Sequence, residues 1–355
     1  MRILHIIVYE EKFTPHLVAK LNENFKNKNV FYCLVDKKGR SEFPESIKAK
    51  NVMIYQGLKD FLKLFKEARA ARVIIYNALF YRFFLQMQLL LVGVFKPKVW
   101  VVWSGDMYLR DCSSFLKRLY NRFLISRFSF VATPIEGDFD NYKKIWGFKA
   151  KNLRFWFPFS SDVLGLKIPA KNNDCTTILV GNSGHFTNRH LEVADMLEKY
   201  KNENIKIIIP LSYGCDNVYR EKVESYYHKI FSSKKVRILK NDLPFMEYVK
   251  LLGQVDIGIF NHFVQEAGHN VMLLETLGKK VYISKQNTLL NMSKAVFKVN
   301  VFEAEQIPNL SFSEFIKWDK KDSDENKEKM RYFASDEFFI DEQNKFFNAL
   351  EAELI

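Results

Sequence analysis

The sequence predicts an α/β protein made of two Rossmann-like, doubly wound domains that face each other across an interdomain cleft. Three observations lead there. Apolar strand-like runs alternate with amphipathic stretches in both halves of the chain, a polar break separates the halves, and two glycine-containing polar loops follow strands in the second half. A length of 355 residues fits two domains. At 48% hydrophobic and 27% charged, the chain has the composition of one that buries real cores, and disorder is not the default reading.

In the first half, strands are expected at Ile3–Tyr9, Val30–Val35, Val52–Tyr55, Val73–Tyr76, Val99–Trp103, Phe128–Thr133 and Leu153–Phe157. Helical patterns lie between most of them, as at Thr14–Phe25 and Leu58–Ala68. The stretch from Ser160 to Cys175, with Pro169 and Asn172-Asn173, has linker chemistry. The alternation then restarts with strands at Thr177–Val180, Ile205–Pro210, Val236–Leu239, Ile257–Phe260 and Val281–Ser284. Helices are expected at His190–Tyr200, Asn217–Phe231, Phe245–Leu252 and around Asn270–Leu277. Trp318–Lys329 reads as a solvated connector and Ser335–Leu354 as a final helix. The expected division is a domain over 1–160, a linker over 161–175, a domain over 176–334, and a C-terminal helix over 335–355 packing back on the first domain. Open parallel sheets bind ligands beyond the carboxyl ends of their strands, so two facing sheets imply one shared cleft.

The charge is unevenly placed. Residues 1–160 hold 28 Lys and Arg against 13 Asp and Glu, whereas the remainder holds 26 against 28. The net of +15 in the first half points to an anionic partner: nucleic acid, anionic lipid or a pyrophosphate compound. Leu79–Phe95 carries a single charge, Arg82, but is marginal for spanning a bilayer and contains Gln86 and Gln88. Phe115–Phe130 interleaves Lys and Arg with aromatics and leucines and suits a helix lying on an anionic lipid surface. RNA could also take such a stretch, but no nucleic-acid motif accompanies it. The amino terminus is too short and wrongly flanked for a signal peptide, so a cytoplasmic location is expected. The four cysteines, Cys33, Cys112, Cys175 and Cys215, follow no disulfide or ligand spacing, and the seven histidines show no metal spacing.

Three segments carry chemistry. Thr177–His185 runs from a buried strand into Gly181-Asn182-Ser183-Gly184-His185, where small residues let backbone N–H groups approach an anion and an imidazolium could meet a phosphate. The same loop also reads as a plain strand-to-helix turn. Gln265-Glu266-Ala267-Gly268-His269-Asn270 opens a helix whose positive end suits a pyrophosphate, with Glu275 further along able to accept from a ribose hydroxyl or to pair locally. Asp106 follows the apolar strand ending at Trp103 with Gly105 beside it, so it reads as a base or acceptor clamp, or as a helix cap. Asp138-Phe-Asp140 looks like a metal-binding pair but is expected to start a helix.

These residues resemble glycosyltransferase family 56. The resemblance rests on TILVGNSGHFTNRH at Thr177–His190, IIPLSYG at Ile208–Gly214, Val236–Phe260 and Gln265–Gly278. Weaker matches are WSGDMY at Trp103–Tyr108, VATPIEGDF at Val131–Phe139 and FPFS at Phe157–Ser160. It implies a GT-B enzyme that moves 4-acetamido-4,6-dideoxygalactose (Fuc4NAc) from a dTDP-sugar to an undecaprenyl-pyrophosphate-linked glycan of the enterobacterial common antigen type. The work would be done peripherally on the cytoplasmic face of the bacterial inner membrane. By position, Asn182, Ser183 and Gly184 would face the diphosphate, with His185 beside them. Tyr213 and Gly214 would lie near the donor, Gln265, Gly268 and Asn270 would hold phosphate, and Glu275 the ribose. His269 and Asn270 stand where the family has small residues, so they could read a different sugar. No metal is expected to be required, because helix N-termini and basic side chains can neutralise the leaving group. The rival readings are a nucleotide-sugar epimerase of the same architecture and a non-catalytic membrane or nucleic-acid binding protein.

Overall fold

The computed structural model describes all residues except 11–12, 26–28, 35–42, 56–57, 80–92, 104, 109–113, 160, 167–170 and 172–173. The chain divides into two compact units: Met1–Pro158 with Phe339–Ile355, and Phe159–Phe338. Each is a parallel sheet flanked by helices, because near-continuous Val/Ile/Leu strands must be covered on both faces.

In unit 1 the strands are β1 (Ile3–Val8), β2 (Asn29–Leu34), β3 (Val52–Tyr55), β4 (Val73–Asn77), β5 (Lys98–Val101), β6 (Phe130–Thr133) and β7 (Lys151–Arg154). They lie in the order β3-β2-β1-β4-β5-β6-β7. Helices α1 (Thr14–Asn24), α2 (Leu58–Ala70), α3 (Phe115–Ser126) and α4 (Asp138–Trp146) intervene. Leu64 and Ala68 of α2, Leu124 and Ile125 of α3, and Tyr142 and Trp146 of α4 share one core with Leu4 and Ile6 of β1. These three helices therefore cover one face of the sheet, and the period of two turns Ile3, His5 and Ile7 to the other.

In unit 2 the strands are β8 (Thr176–Val180), β9 (Ile205–Pro210), β10 (Val236–Leu239), β11 (Ile257–Phe260), β12 (Lys280–Ile283) and β13 (Phe302–Glu303), in the order β10-β9-β8-β11-β12-β13. The longer helices are α5 (His190–Glu198), α6 (Asn217–Ile230), α7 (Phe245–Gly253), α8 (Gly268–Thr276) and α9 (Lys320–Phe333). Asp216 caps α6 by accepting from the Tyr219 N–H at 2.8 Å. Val193 and Leu197 of α5 and Val223 and Tyr227 of α6 pack on Ile178 and Val180.

Three expectations change. Trp318–Lys329 is not a connector: it enters α9, whose N-cap Asp319 accepts from the Asp322 N–H at 2.9 Å. The helix is polar almost all round and buries only Asn326 and Met330, so no apolar period announces it. The linker over 161–175 begins instead with a 3-10 turn, Ser161–Gly165, that belongs to unit 2. The final helix, α10 (Asp336–Glu353), straddles the division. From Phe339 on it belongs to unit 1, where Gln343 Nε2 donates to the Trp156 carbonyl at 2.6 Å and Glu342 pairs with Arg154 at 2.9 Å. Phe347 and Phe346 meet Phe25 and Phe155 at 5.0 and 5.1 Å.

Asp138 does start a helix, and Asp140 pairs with Lys143 at 2.7 Å. Most of Leu79–Phe95 lies outside the described residues. Among those described, no helix is long and apolar enough to cross a membrane, and no cluster of three metal-ligating side chains occurs.

Candidate active site

The strand order of unit 2 reverses at β8, with β9 and β10 to one side and β11, β12 and β13 to the other. In an open parallel sheet the ligand crevice lies beyond the carboxyl ends of the strands at such a switch. The segments that leave β8 and β11 there, Gly181–Arg189 and Asn261–Ala267, are the two polar loops of the sequence.

The β8 loop is held by its own side chains. Gly181 has φ +68°, and a Cβ there would stand 2.3 Å from Asn188 Oδ1. Buried Asn188 fastens the turn: its Oδ1 accepts from the Asn182 N–H at 2.9 Å, and its Nδ2 donates to the His185 carbonyl at 3.0 Å and to Ser183 Oγ at 3.3 Å. The Gly184 N–H donates to the Tyr213 carbonyl at 2.7 Å, and a Cβ on Gly184 would meet Cys215 Sγ at 2.2 Å. Only glycine allows the β8 loop to sit this close to the β9 loop. Gly214 backs the same contact, since a Cβ there would lie 3.1 Å from the His185 nitrogen. Asn182 bridges onward: its Nδ2 donates to the hydroxyl of half-exposed Tyr213 at 3.2 Å, and its Oδ1 meets His262 Nε2 at 2.9 Å.

A charged centre joins the two loops. Thr187 donates its hydroxyl to Glu266 Oε2 at 2.6 Å, His185 Nδ1 lies 2.7 Å from Thr187 Oγ1, and the same nitrogen is 3.4 Å from Glu266 Oε1. The Thr187 proton is committed to Glu266, so its oxygen accepts from His185 Nδ1–H. The hydrogen bond that His185 donates to Glu266 raises the His185 pKa against partial burial. Burial opposes ionisation of Glu266, but His185, Thr187 and the neighbouring imidazole of His262 outweigh it and hold the carboxyl below its usual range. Behind them, burial pushes His262 down to about 4 and His190 down to about 3, so both are neutral near pH 7. The result is one half-exposed imidazole whose pKa is raised in favour of the cation, on a loop of closely packed backbone amides.

The β11 loop ends in α8. Its N-cap, Ala267, is a non-glycine residue at φ +69° and supplies no side-chain cap. The helix thus opens at Gly268 with its positive end toward the loop. Gln265 lies over this entry, its Nε2 3.5 Å from where a Gly268 Cβ would be. His269 sits between the rings of Phe159 and Phe245 at 5.0 and 6.1 Å, and Asn270 Oδ1 accepts from Tyr248 at 2.6 Å.

A family described as 4-alpha-L-fucosyltransferase, glycosyl transferase group 56, matches residues 12–341. The chain belongs to glycosyltransferase group 56. Solved structures agree on architecture. A glycosyltransferase from Rickettsia africae is 12% identical with a TM-score of 0.68, over 99% of this chain and 98% of that one. HepE of Anabaena, solved with UDP-glucose, is 14% identical with a TM-score of 0.69, over 99% and 100%. The O-GlcNAc transferase of Thermobaculum terrenum is 10% identical with a TM-score of 0.62, over 99% and 68%. The group 56 chain is a glycosyltransferase with the GT-B fold and two Rossmann-like domains.

Within this group 56 enzyme the structure brings Asn182, Gly184, His185, Tyr213 and Gly214 together around one turn. Gln265, Gly268, His269 and Asn270 gather at the α8 entry. It corrects three roles. Ser183 is buried and its hydroxyl accepts from the His185 N–H and from Asn188 at 3.3 Å, so it braces the loop from within. Asp106 is fully buried: Oδ2 accepts from the Leu79 N–H at 2.9 Å and Trp100 Nε1 at 2.8 Å, and Oδ1 from the Trp103 N–H at 2.8 Å. Burial lifts its pKa to about 6 against these donors. It fastens the segments after β4 and β5, and its two oxygens are taken up by these donors rather than open to a substrate. Glu275 is also fully buried, with Oε1 on Ser293 Oγ at 2.5 Å and Oε2 without a hydrogen-bond partner, so no open carboxylate awaits a ribose.

Burial pushes the Glu275 pKa up to about 8. A carboxyl raised in the folded state holds its proton there while the unfolded chain loses it near pH 4.3. Its contribution therefore declines as pH rises from that value through 8. Glu275→Gln removes the decline. The variant should gain stability over the parent from pH 5 to pH 8, on the order of 3 kcal/mol, in parallel denaturant titrations. A pH-independent difference would show that Glu275 is ionised in the native protein.

The residues missed in the sequence are Thr187, Asn188, His262 and Glu266. Thr187 and Asn188 were legible as the polar end of the β8 loop, and Glu266 as the acid beside Gln265. His262 carried no local signal.

Proposed function

We propose that the protein transfers an amino-deoxy sugar of the Fuc4NAc type from a dTDP-sugar to a glycan carried on undecaprenyl pyrophosphate, at the cytoplasmic face of the bacterial inner membrane. The observation that carries the donor half is the His185–Thr187–Glu266 centre at the β8 switch, next to the positive end of α8. A leaving nucleoside diphosphate gains negative charge as the glycosidic bond breaks. An imidazolium and the N–H groups of a helix N-terminus answer that charge without a metal. Glu266 raises the His185 pKa in favour of the cation, and Thr187 fixes which nitrogen points inward. The acceptor half is supported by group 56 membership and by the net +15 of residues 1–160, which suits a pyrophosphate carrier.

Thermal unfolding with dTDP, UDP and GDP side by side tests the donor. A nucleotide at tens of its dissociation constant should add roughly 2 kcal/mol, with dTDP leading. A response to UDP alone would move the reading to a UDP-sugar, the class of donor with which HepE was solved. Turnover of the nucleotide-sugar with no acceptor present would favour an epimerase.

A further inference from the structure

We propose that the outward face of α3 is where the protein lies on an anionic lipid surface. Four large apolar side chains on this one helix are exposed: Phe115 (64%), Leu116 (75%), Leu119 (50%) and Phe123 (55%). With about 100° per residue they fall in one stripe roughly a quarter-turn wide. The residues α3 buries, Asn121, Leu124 and Ile125, are centred on the opposite side. The stripe is therefore not part of the core of unit 1, and its cost in water is uncompensated in the isolated chain.

The charges beside the stripe decide the occupant. Between Asp111 and Glu136 the sequence has Lys117, Arg118, Arg122 and Arg127 and no acidic residue. Arg118 and Arg127 lie over the Phe115 and Phe123 rings, each at 5.9 Å. Guanidinium groups at the edge of an apolar stripe can reach phosphates while the rings enter the acyl boundary. A protein partner would be met by mixed charges; the charges α3 itself sets beside the stripe are all basic and complement a uniformly anionic surface. Leu62 (75%) and Phe65 (42%) of α2 are exposed too, on a helix that packs on the same sheet face. No described helix can span a bilayer, so contact of this kind is how these residues would hold the enzyme to one.

The inference rests on the lipid-linked acceptor only for its purpose, since binding is measurable without substrate. The full chain is floated with vesicles of phosphatidylcholine, with and without phosphatidylglycerol. The parent should bind the anionic vesicles and release with salt. Leu116→Ser with Phe123→Ser should weaken binding by about tenfold or more, and Arg118→Gln with Arg122→Gln should remove most of the preference for phosphatidylglycerol. All these positions are exposed, so thermal unfolding and the response to dTDP should match the parent. Failure of the dTDP response with vesicle binding intact would strike the donor reading alone. Parent-like flotation of both double variants, no flotation of the parent, or a concentration-dependent dimer lost in the Ser variant would overturn the proposal, the last in favour of a second copy.

Discussion

Replacing Glu266 by glutamine should lower kcat/KM for sugar transfer by about 100-fold and move its high-pH limb toward lower pH. Glu266 holds the proton on His185, whose pKa it raises. The sign follows directly. Transfer that needs the imidazolium declines as pH rises through that raised pKa, and with glutamine it declines nearer the ordinary histidine value of about 6.5. His185→Gln should abolish the limb altogether. In Glu266→Gln the amide oxygen still accepts from Thr187, so the loop keeps its shape and unfolding should move by about 1 kcal/mol or less. A Glu266→Gln enzyme with the parent pH profile would show that the limb does not belong to His185, because a merely structural loss lowers the rate and leaves the titration in place.

Asp106→Ala should cost about 3–5 kcal/mol of stability in denaturant unfolding, since three donors lose a buried acceptor at once. Asp106→Asn should fall between, as it places an amide N–H₂ against at least one of those donors. Nucleotide binding measured on the protein still folded should be unchanged, because the partners of Asp106 (Leu79, Trp100 and Trp103) all belong to unit 1 and the β8 and β11 loops to unit 2. The opposite pattern, parent stability in Asp106→Asn with kcat lost, would return Asp106 to the chemistry.

Fold and loops were legible to different degrees for physical reasons. Strands such as Val52–Tyr55, Ile205–Pro210, Val236–Leu239 and Ile257–Phe260 stand in the structure as read, the central Ile257–Phe260 because a strand buried on both faces is a plain apolar run, and the rest, edge strands included, because β-branched and aliphatic residues still dominate them. The α9 helix escaped notice because its stability comes from a cap and charges, not from an apolar stripe. Glycines at 181 and 184 marked the β8 loop, since close approach demands them. Which way a carboxylate faces was not legible. Asp106 and Glu275 each stand among apolar neighbours, and such a setting describes both a cleft wall and a core. Glu266 owes its role to His185, far away in sequence, so only the packing of β8 beside β11 reveals it.

The return of α10 to unit 1 has a consequence for biosynthesis. Strand β7 and the aromatic side chains Phe25 and Phe155 are completed by Phe346, Phe347 and Gln343, more than 180 residues downstream. Before it reaches them a ribosome makes residues 159–338, which contain their whole sheet in one continuous stretch. The half translated first is thus the half finished last, with an apolar flank open throughout elongation. The unit that carries the β8 and β11 loops can be complete before unit 1 is sealed, and a premature stop shortly before Phe339 would leave that flank open for good.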